Sequence, residues 1–458
     1  MRLQIQRIIY GTIVDQFLHD AYVFSLWAPL PVRTMAQTDI ISVRYLKRRC
    51  SICCIWLRSC FIQLFVSYLW FLSWCIYMVW NCFPIVGRNV YSDRYMLYND
   101  WNWSNVSALH AELRLYGQQN NALFQCVFGS QLHLYGDYVN PDENSIIILN
   151  HRTRVDWNYV WIALYHAAQD TTGDEDCICK LKSTRKFTNR NFLDWLSRGK
   201  ARLKFVLKDE IKIIPGLGWI MQLNFFLYVK RDWRKDQLNL CQFIDYYKKL
   251  HSECRLVLFP EGTDLSEDNK RRSNKFAEAN NLPYYNFVLH PRTTGWIALC
   301  TQLRSSGLAS VYDVTIAYDK PAQTEADILR GEVPKHVYFY FKRYNINNLP
   351  EDEEALKRWL NDRWREKEEN LSQFYRDGKF KEPTSNKTLQ QRKLRSMRFA
   401  KIGFLFWTVV DIIFLYAIYN SVIFQFWLIY HTFLFIFVTW YFGGFQHIQY
   451  KLLEKRNM

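Results

Sequence analysis

A chain of 458 residues is long enough for one domain of ordinary size together with membrane segments. Aromatic residues make up 17% of it, more than a soluble domain needs, and the net charge of +16 attracts nucleic acid, anionic lipid or phosphorylated small molecules without choosing among them. Of the twelve cysteines, six lie in the apolar stretch from Cys50 to Cys82 and read as small hydrophobes, and Cys177 and Cys179 lack a second ligand pair, so neither a disulfide framework nor a metal site is expected.

Residues 1–46 show no sustained pattern and receive no function. Residues 47–85 read as an N-terminal membrane segment. Cys60 to Phe83 carries no formal charge, and crossing a bilayer core takes roughly 20 residues. Lys47, Arg48, Arg49 and Arg58 precede the span, which is too far from Met1 for a simple signal peptide.

From about residue 100 to 380 the pattern becomes that of a layered domain. Ser145 to Leu149 is β-branched and apolar, a buried strand, and Asp156 to Ala168 then has helical spacing. Leu203 to Leu207 and Phe225 to Val229 are further strands, with a helix from about Trp233 to Leu250. Arg255 to Phe259, Val311 to Ala317 and His336 to Phe341 complete the set. Strands alternating with helices predict an α/β domain with a mostly parallel sheet, whose sites form where strands end. A helix from Pro350 to about Tyr375 opens on four acidic residues and has an apolar stripe of Leu356, Trp359, Leu360 and Trp364; it reads as structural.

Two apolar stretches, Ile402 to Tyr419 and Ser421 to Phe442, predict a C-terminal transmembrane hairpin over residues 400–443. Asp411 and His431 lie inside it and are expected to face each other or a polar pocket. Basic residues at both ends argue for a cytosolic middle domain, but Lys47, Arg48 and Arg49 ask the same of the N-terminal side of Cys60–Phe83; one crossing cannot satisfy both demands, and a re-entrant or leaflet-embedded first segment can.

Two strand ends are unusually polar. The first runs into Asn150, His151 and, five positions after His151, Asp156. On one helix His151 and Asp156 would point about 140° apart. A loop holding His151 just past the strand, with Asp156 in the first turn of the next helix, brings carboxylate to imidazole. Such a pair fixes the ring tautomer and leaves the other nitrogen free to take a proton. The second strand end is Phe259, Pro260, Glu261, Gly262 and Thr263, a tight polar turn whose glycine permits close backbone approach. Between them, Arg231 ends a strand where a ligand phosphate would sit.

Taken together, these blocks resemble the glycerophospholipid acyltransferase family, the lysophosphatidic acid acyltransferases and their relatives. The shared elements are Asn150-His151-x4-Asp156, the strand-end Arg231, the run Phe259 to Thr263, and Leu289, His290 and Pro291. NHRTRVDW, PGLGWIMQ, FPEGTDLSEDNKRRSNKFAE and VLHPRTTGW are most similar to the branch of lysocardiolipin, lysophosphatidylinositol and lysophosphatidic acid enzymes. The resemblance spans roughly residues 60 to 450. One departure is the stretch from Cys179 to Lys208, longer than the family's connection and basic from Lys180 to Lys204, able to hold anionic headgroups or simply solvated.

The resemblance implies transfer of an acyl group from acyl-CoA, a co-substrate, to a lysophospholipid hydroxyl, with no metal and no bound cofactor. His151 would be the base and Asp156 its orienting partner. Arg231, Glu261, Gly262 and Thr263 would bind the acceptor, with Lys208, Lys212 and Arg272 as possible phosphate contacts. Backbone N–H groups near the first loop would hold the oxyanion. It also implies a multi-pass integral membrane protein of the endoplasmic reticulum, contacting membrane lipid rather than nucleic acid. The competing readings are a phospholipid transacylase that needs no acyl-CoA, and a non-catalytic membrane protein that binds anionic lipid. Oligomeric state, acceptor headgroup and acyl-chain preference are not readable. The sequons at Asn102, Asn105, Asn370 and Asn386 do not fix sidedness.

Overall fold

The computed structural model describes residues 121–140, 143–167, 203–214, 217–249, 254–321, 330–380 and 397–456, with a few isolated positions between them. All belong to one compact unit, Ser59–Met458. The N-terminal extension, the Cys60–Phe83 segment, Cys177 and Cys179, and most of the basic 180–204 stretch lie outside the described residues.

A seven-stranded sheet has the order β1-β7-β6-β2-β5-β3-β4. The strands are β1 (Gln131–Gly136), β2 (Ser145–Leu149), β3 (Leu203–Lys208), β4 (Leu227–Val229), β5 (Arg255–Leu258), β6 (Ser310–Tyr318) and β7 (His336–Asn345). Every pairing is parallel except β6 with β7. The fold class expected from the sequence is the one observed.

Helices cover both faces. Asp156–Ala167 (α1) lies on one, with Ile147 and Leu149 of β2 in the same apolar cluster. Trp233–Lys249 (α3), Thr293–Arg304 (α5) and Glu353–Asp377 (α6) lie on the other, with Ile146 and Ile148. The period of two along a strand thus sends alternate β2 side chains into two cores, and burial on both faces is why the strand is apolar throughout. Each fully buried aliphatic side chain there contributes about 1.5–3 kcal/mol relative to exposure. Two further helices, Leu217–Leu223 (α2) and Glu267–Ala279 (α4), follow β3 and β5.

β2 and β5 are parallel neighbours in register, Ser145 opposite Arg255 and Ile148 opposite Leu258. Their C-terminal ends therefore emerge side by side, which brings the histidine loop and the Phe259–Thr263 turn together. β4 is shorter at its start than expected, because Phe225 adopts φ 54° and stacks its ring on Tyr246 at 3.7 Å before the strand begins.

Arg398–Asn420 (α7) and Val422–Tyr441 (α8) form the expected C-terminal hairpin, with Ser421 capping α8. Among the described residues, α8 is long and apolar enough to cross a membrane. The His431 ring lies on Trp427 at 4.4 Å, with Nδ1 2.8 Å from the Trp427 carbonyl oxygen, while the side chain of Asp411 lies outside the described residues. A last helix, Phe445–Arg456 (α9), returns to the domain, with Gln449 donating to Leu223 O at 3.1 Å and Tyr450 to Asp245 Oδ2 at 2.9 Å. Gln222 ties the junction by donating to Thr439 Oγ1 and accepting from Phe445 N.

Candidate active site

The Asn150 side chain continues the sheet where β2 ends. It donates from Nδ2 to Ile316 O at 3.1 Å and accepts from Ile316 N at 2.9 Å, imitating a backbone pair with β6. The chain then leaves the sheet at His151, whose Nδ1 lies 3.0 Å from Asp156 Oδ2. Asp156 is fully buried while the His151 side chain keeps 20% exposure, so the imidazole is reachable and its partner is not.

The carboxylate is held from all sides. Oδ2 also accepts from Arg152 N and Thr153 N, and Oδ1 accepts from Thr153 Oγ1 at 3.0 Å and Tyr318 OH at 2.6 Å. An acceptor-only carboxylate beside Nδ1 assigns the ring proton to Nδ1 and leaves Nε2 as the acceptor. The Phe259 ring lies 4.3 Å from the imidazole and limits its rotation.

Glu261, expected among the acceptor ligands, is the second junction: its side chain is buried and binds the protein itself. Oε1 accepts from His151 N at 3.3 Å and Trp364 Nε1 at 3.1 Å, and Oε2 from Leu289 N at 3.1 Å. It joins three segments: the histidine loop, α6 and the Leu289–Pro291 block. Burial pushes its carboxyl up to about 8, against the three donors that pull it down. Leu265 N donating to His151 O at 2.9 Å closes the same junction.

Gly262 turns at φ 72°, a conformation that glycine adopts without penalty, with its N–H on Phe259 O at 2.9 Å. Arg231 reaches the turn from the end of β4 and donates from Nη2 to Gly262 O. Pro260 accepts at its carbonyl from Arg292 N at 2.8 Å, and the Thr263 hydroxyl accepts from Asn269 Nδ2 at 3.0 Å. Pro291 lies between His290, whose N–H is held by Ser273 Oγ at 3.0 Å, and Arg292.

The three possible phosphate contacts separate. Lys212 is corrected: it is buried, its Nζ 2.7 Å from Asp209 Oδ1 and over the Tyr228 ring. Lys208 is exposed but pairs with Glu210 at 3.1 Å. Arg272 is exposed on α4. Lys204, grouped with the basic stretch, is buried in β3 and donates to Asn224 O. The oxyanion expectation also changes, since the N–H groups of His151, Arg152 and Thr153 are all engaged. Asn370 is buried in α6 and offers no glycan acceptor in this fold.

Four residues at the site had no signal in the sequence. Tyr318 holds Asp156, Trp364 holds Glu261, and Glu368 accepts from the N–H groups of Asn286, Phe287 and Val288. Arg292 packs on Gly262, where an added Cβ would lie 3.4 Å from its Cδ and Nε. The helix read as purely structural, α6, is thus the rear wall of the site.

A strand-end imidazole with a buried carboxylate, a tight Pro-Glu-Gly-Thr turn and converging arginines thus meet at the C-terminal ends of β2, β4 and β5. Residues 190–319 match the acyltransferase family and residues 327–407 the acyltransferase C-terminus. The first match begins downstream of the histidine loop, within the long basic connection. Over 292 residues the chain is 37% identical to lysocardiolipin acyltransferase 1 of Gallus gallus, covering 63% of this chain and 69% of that protein. It is 35% identical to lysocardiolipin acyltransferase 1 of Mus musculus over 73% of this chain and 83% of that one, and 30% identical to lysophosphatidylinositol acyltransferase 10 of Caenorhabditis elegans over 73% and 81%. The chain belongs to this family of lysophospholipid acyltransferases. The solved 1-acyl-sn-glycerophosphate acyltransferase of Thermotoga maritima aligns over 69% of this chain and 98% of its own at 15% identity, with a TM-score of 0.38.

Proposed function

We propose that the protein is an acyl-CoA-dependent lysophospholipid O-acyltransferase in which His151 is the general base. The observation that supports this most is the 3.0 Å contact from His151 Nδ1 to a buried Asp156, at a strand end beside the Gly262 turn. With Nδ1 committed to Asp156, Nε2 takes the proton of the free hydroxyl of the lysophospholipid. The hydroxyl oxygen attacks the thioester carbonyl, the carbon–sulfur bond breaks, and the imidazolium returns its proton to the departing coenzyme A sulfur. Arg231, beside the Gly262 and Thr263 turn, binds the acceptor phosphate through its planar fork.

Acceptors of the lysocardiolipin, lysophosphatidylinositol or lysophosphatidic acid type follow from the names of the relatives. α8 and the exposed apolar side chains of α7, among them Leu405, Ile412 and Ile413, hold the domain at a membrane, as expected of an endoplasmic reticulum enzyme. Labelled acyl-CoA incubated with purified protein and a panel of lysolipids tests the reading. Label should enter the matching diacyl product only when a lysolipid and acyl-CoA are both present. Equal product from an unlabelled phospholipid donor without acyl-CoA would instead establish a transacylase.

A further inference from the structure

Two guanidinium groups meet on the Gly262 turn. Arg231 donates to the Gly262 carbonyl, and Arg292 lies against the same glycine, with its Cδ and Nε 3.4 Å from where a Cβ would stand. The two come from different parts of the chain, one leaving β4 and the other preceding α5. Both backbones are fixed in place. Arg231 has φ 62°, a left-handed conformation unfavourable for a residue with a Cβ. Asp236 holds it there, accepting from Lys230 N at 2.6 Å and Asp232 N at 3.2 Å. The Arg292 backbone is held by Pro260 O at 2.8 Å.

The fold therefore sustains an unfavourable backbone conformation to bring two like charges together. Among the described residues, the ion pairs of this region join other cations: Lys208 to Glu210, Lys212 and Lys230 to Asp209, Lys235 to Asp232. Among the described residues neither Arg231 nor Arg292 forms an ion pair, and Glu210 acts on Arg231 only from beyond ion-pair distance. Burial, and after it the charge of Arg292, pulls the Arg231 guanidinium below its ordinary value. Two adjacent cations without an acid between them are relieved by a bound anion, and the guanidinium fork matches phosphate oxygens. The turn is also tied to the backbone of His151 on both sides of Gly262, through Glu261 Oε1 with His151 N and Leu265 N with His151 O.

We propose that Arg292 and Arg231 form a two-arginine seat for a substrate phosphate over the Gly262 turn. This rests on the reading of Arg231 given under the proposed function and adds Arg292 to it as a specificity-determining residue. The shared chemistry is a phosphate oxyanion, which both the lysophospholipid headgroup and coenzyme A carry.

The test uses the full chain in detergent micelles, with Arg292→Ala, Arg292→Lys and Arg231→Ala, and thermal unfolding recorded for each. KM is measured for the lysophospholipid and for acyl-CoA, each with the other saturating, and inorganic phosphate is titrated as an inhibitor. Arg292→Ala should raise one of the two KM values roughly 10- to 100-fold, as loss of a charge-assisted hydrogen bond does, with kcat within a few-fold of wild type. Arg292→Lys should recover part of the loss. Inorganic phosphate should compete with the same substrate and should inhibit Arg292→Ala more weakly. The KM that moves names the source of the phosphate. If Arg231→Ala raises the acceptor KM while Arg292→Ala leaves both KM values unchanged, the two-arginine seat is overturned and the role of Arg231 stands. If neither variant moves a KM, both readings fall. A fall in kcat with lowered thermal stability and unchanged KM values would make Arg292 structural and also overturn the seat.

Discussion

The Tyr318 hydroxyl donates to Asp156 Oδ1 at 2.6 Å, although the two residues are 162 positions apart. The contact joins the last residue of β6 to the first residue of α1, across the sheet edge from which His151 projects. It fixes the carboxylate rotamer and leaves Oδ2 directed at the imidazole.

Tyr318→Phe keeps the ring and its packing and removes only the hydroxyl. Loss of a hydrogen bond to a charged group is expected to cost about 1.5–3 kcal/mol, roughly a 10- to 100-fold fall in kcat if it is felt in the transition state. KM for both substrates should stay near wild type. Steady-state kinetics on the purified variant checks this; an unchanged kcat would show that Asp156 is positioned without Tyr318.

Glu261 sets a pH dependence. Its carboxyl ordinarily titrates near 4.5 and burial raises it to about 8. The folded chain thus keeps this proton to higher pH than the unfolded chain does. The resulting stability is full below pH 4.5 and is lost as pH rises to about 8. Glu261→Gln cannot titrate, so its thermal midpoint should change less between pH 5 and pH 8 than that of the wild type. Parallel curves for the two proteins would contradict the assignment.

Beneath the site, the Lys367 ammonium from α6 pairs with Asp313 of β6 and donates to Val314 O at 2.7 Å, with both side chains buried. Lys367→Met leaves Asp313 without its cation and should destabilise the protein by about 3–5 kcal/mol. Replacing both, as Lys367→Met with Asp313→Leu, should recover most of that loss. Denaturant or thermal unfolding of the single and double variants distinguishes this from simple loss of packing, in which the double variant would be no better.

Much of the architecture was legible because local signals and burial agree. The run Ser145–Leu149 is β-branched, apolar and buried on both faces. His151 and Asp156 were readable as a pair because they lie five residues apart between the end of β2 and the first turn of α1. β1 was not foreseen: its only sheet partner is β7, about 200 residues away, so nothing near it in the chain marks it as a strand. α4 was also missed, since Ala277 is its one buried residue and no apolar stripe reveals it, although Ser266 caps it by accepting from Asn269 N. The functions of Glu261 and Arg292 were hidden for a related reason. A carboxylate in a polar turn reads as a ligand group until Trp364 and Leu289 are seen to claim it, and Arg292 gains meaning only beside Gly262.

The most direct measurement is the single-turnover acyl-transfer rate of His151→Ala against wild type, at saturating acyl-CoA and lysophospholipid, with thermal unfolding recorded on the same samples. Removing a general base should lower the rate by about 100- to 10,000-fold while the thermal midpoint stays close to wild type. A folded His151→Ala protein that transfers acyl groups at a rate near wild type would contradict the account.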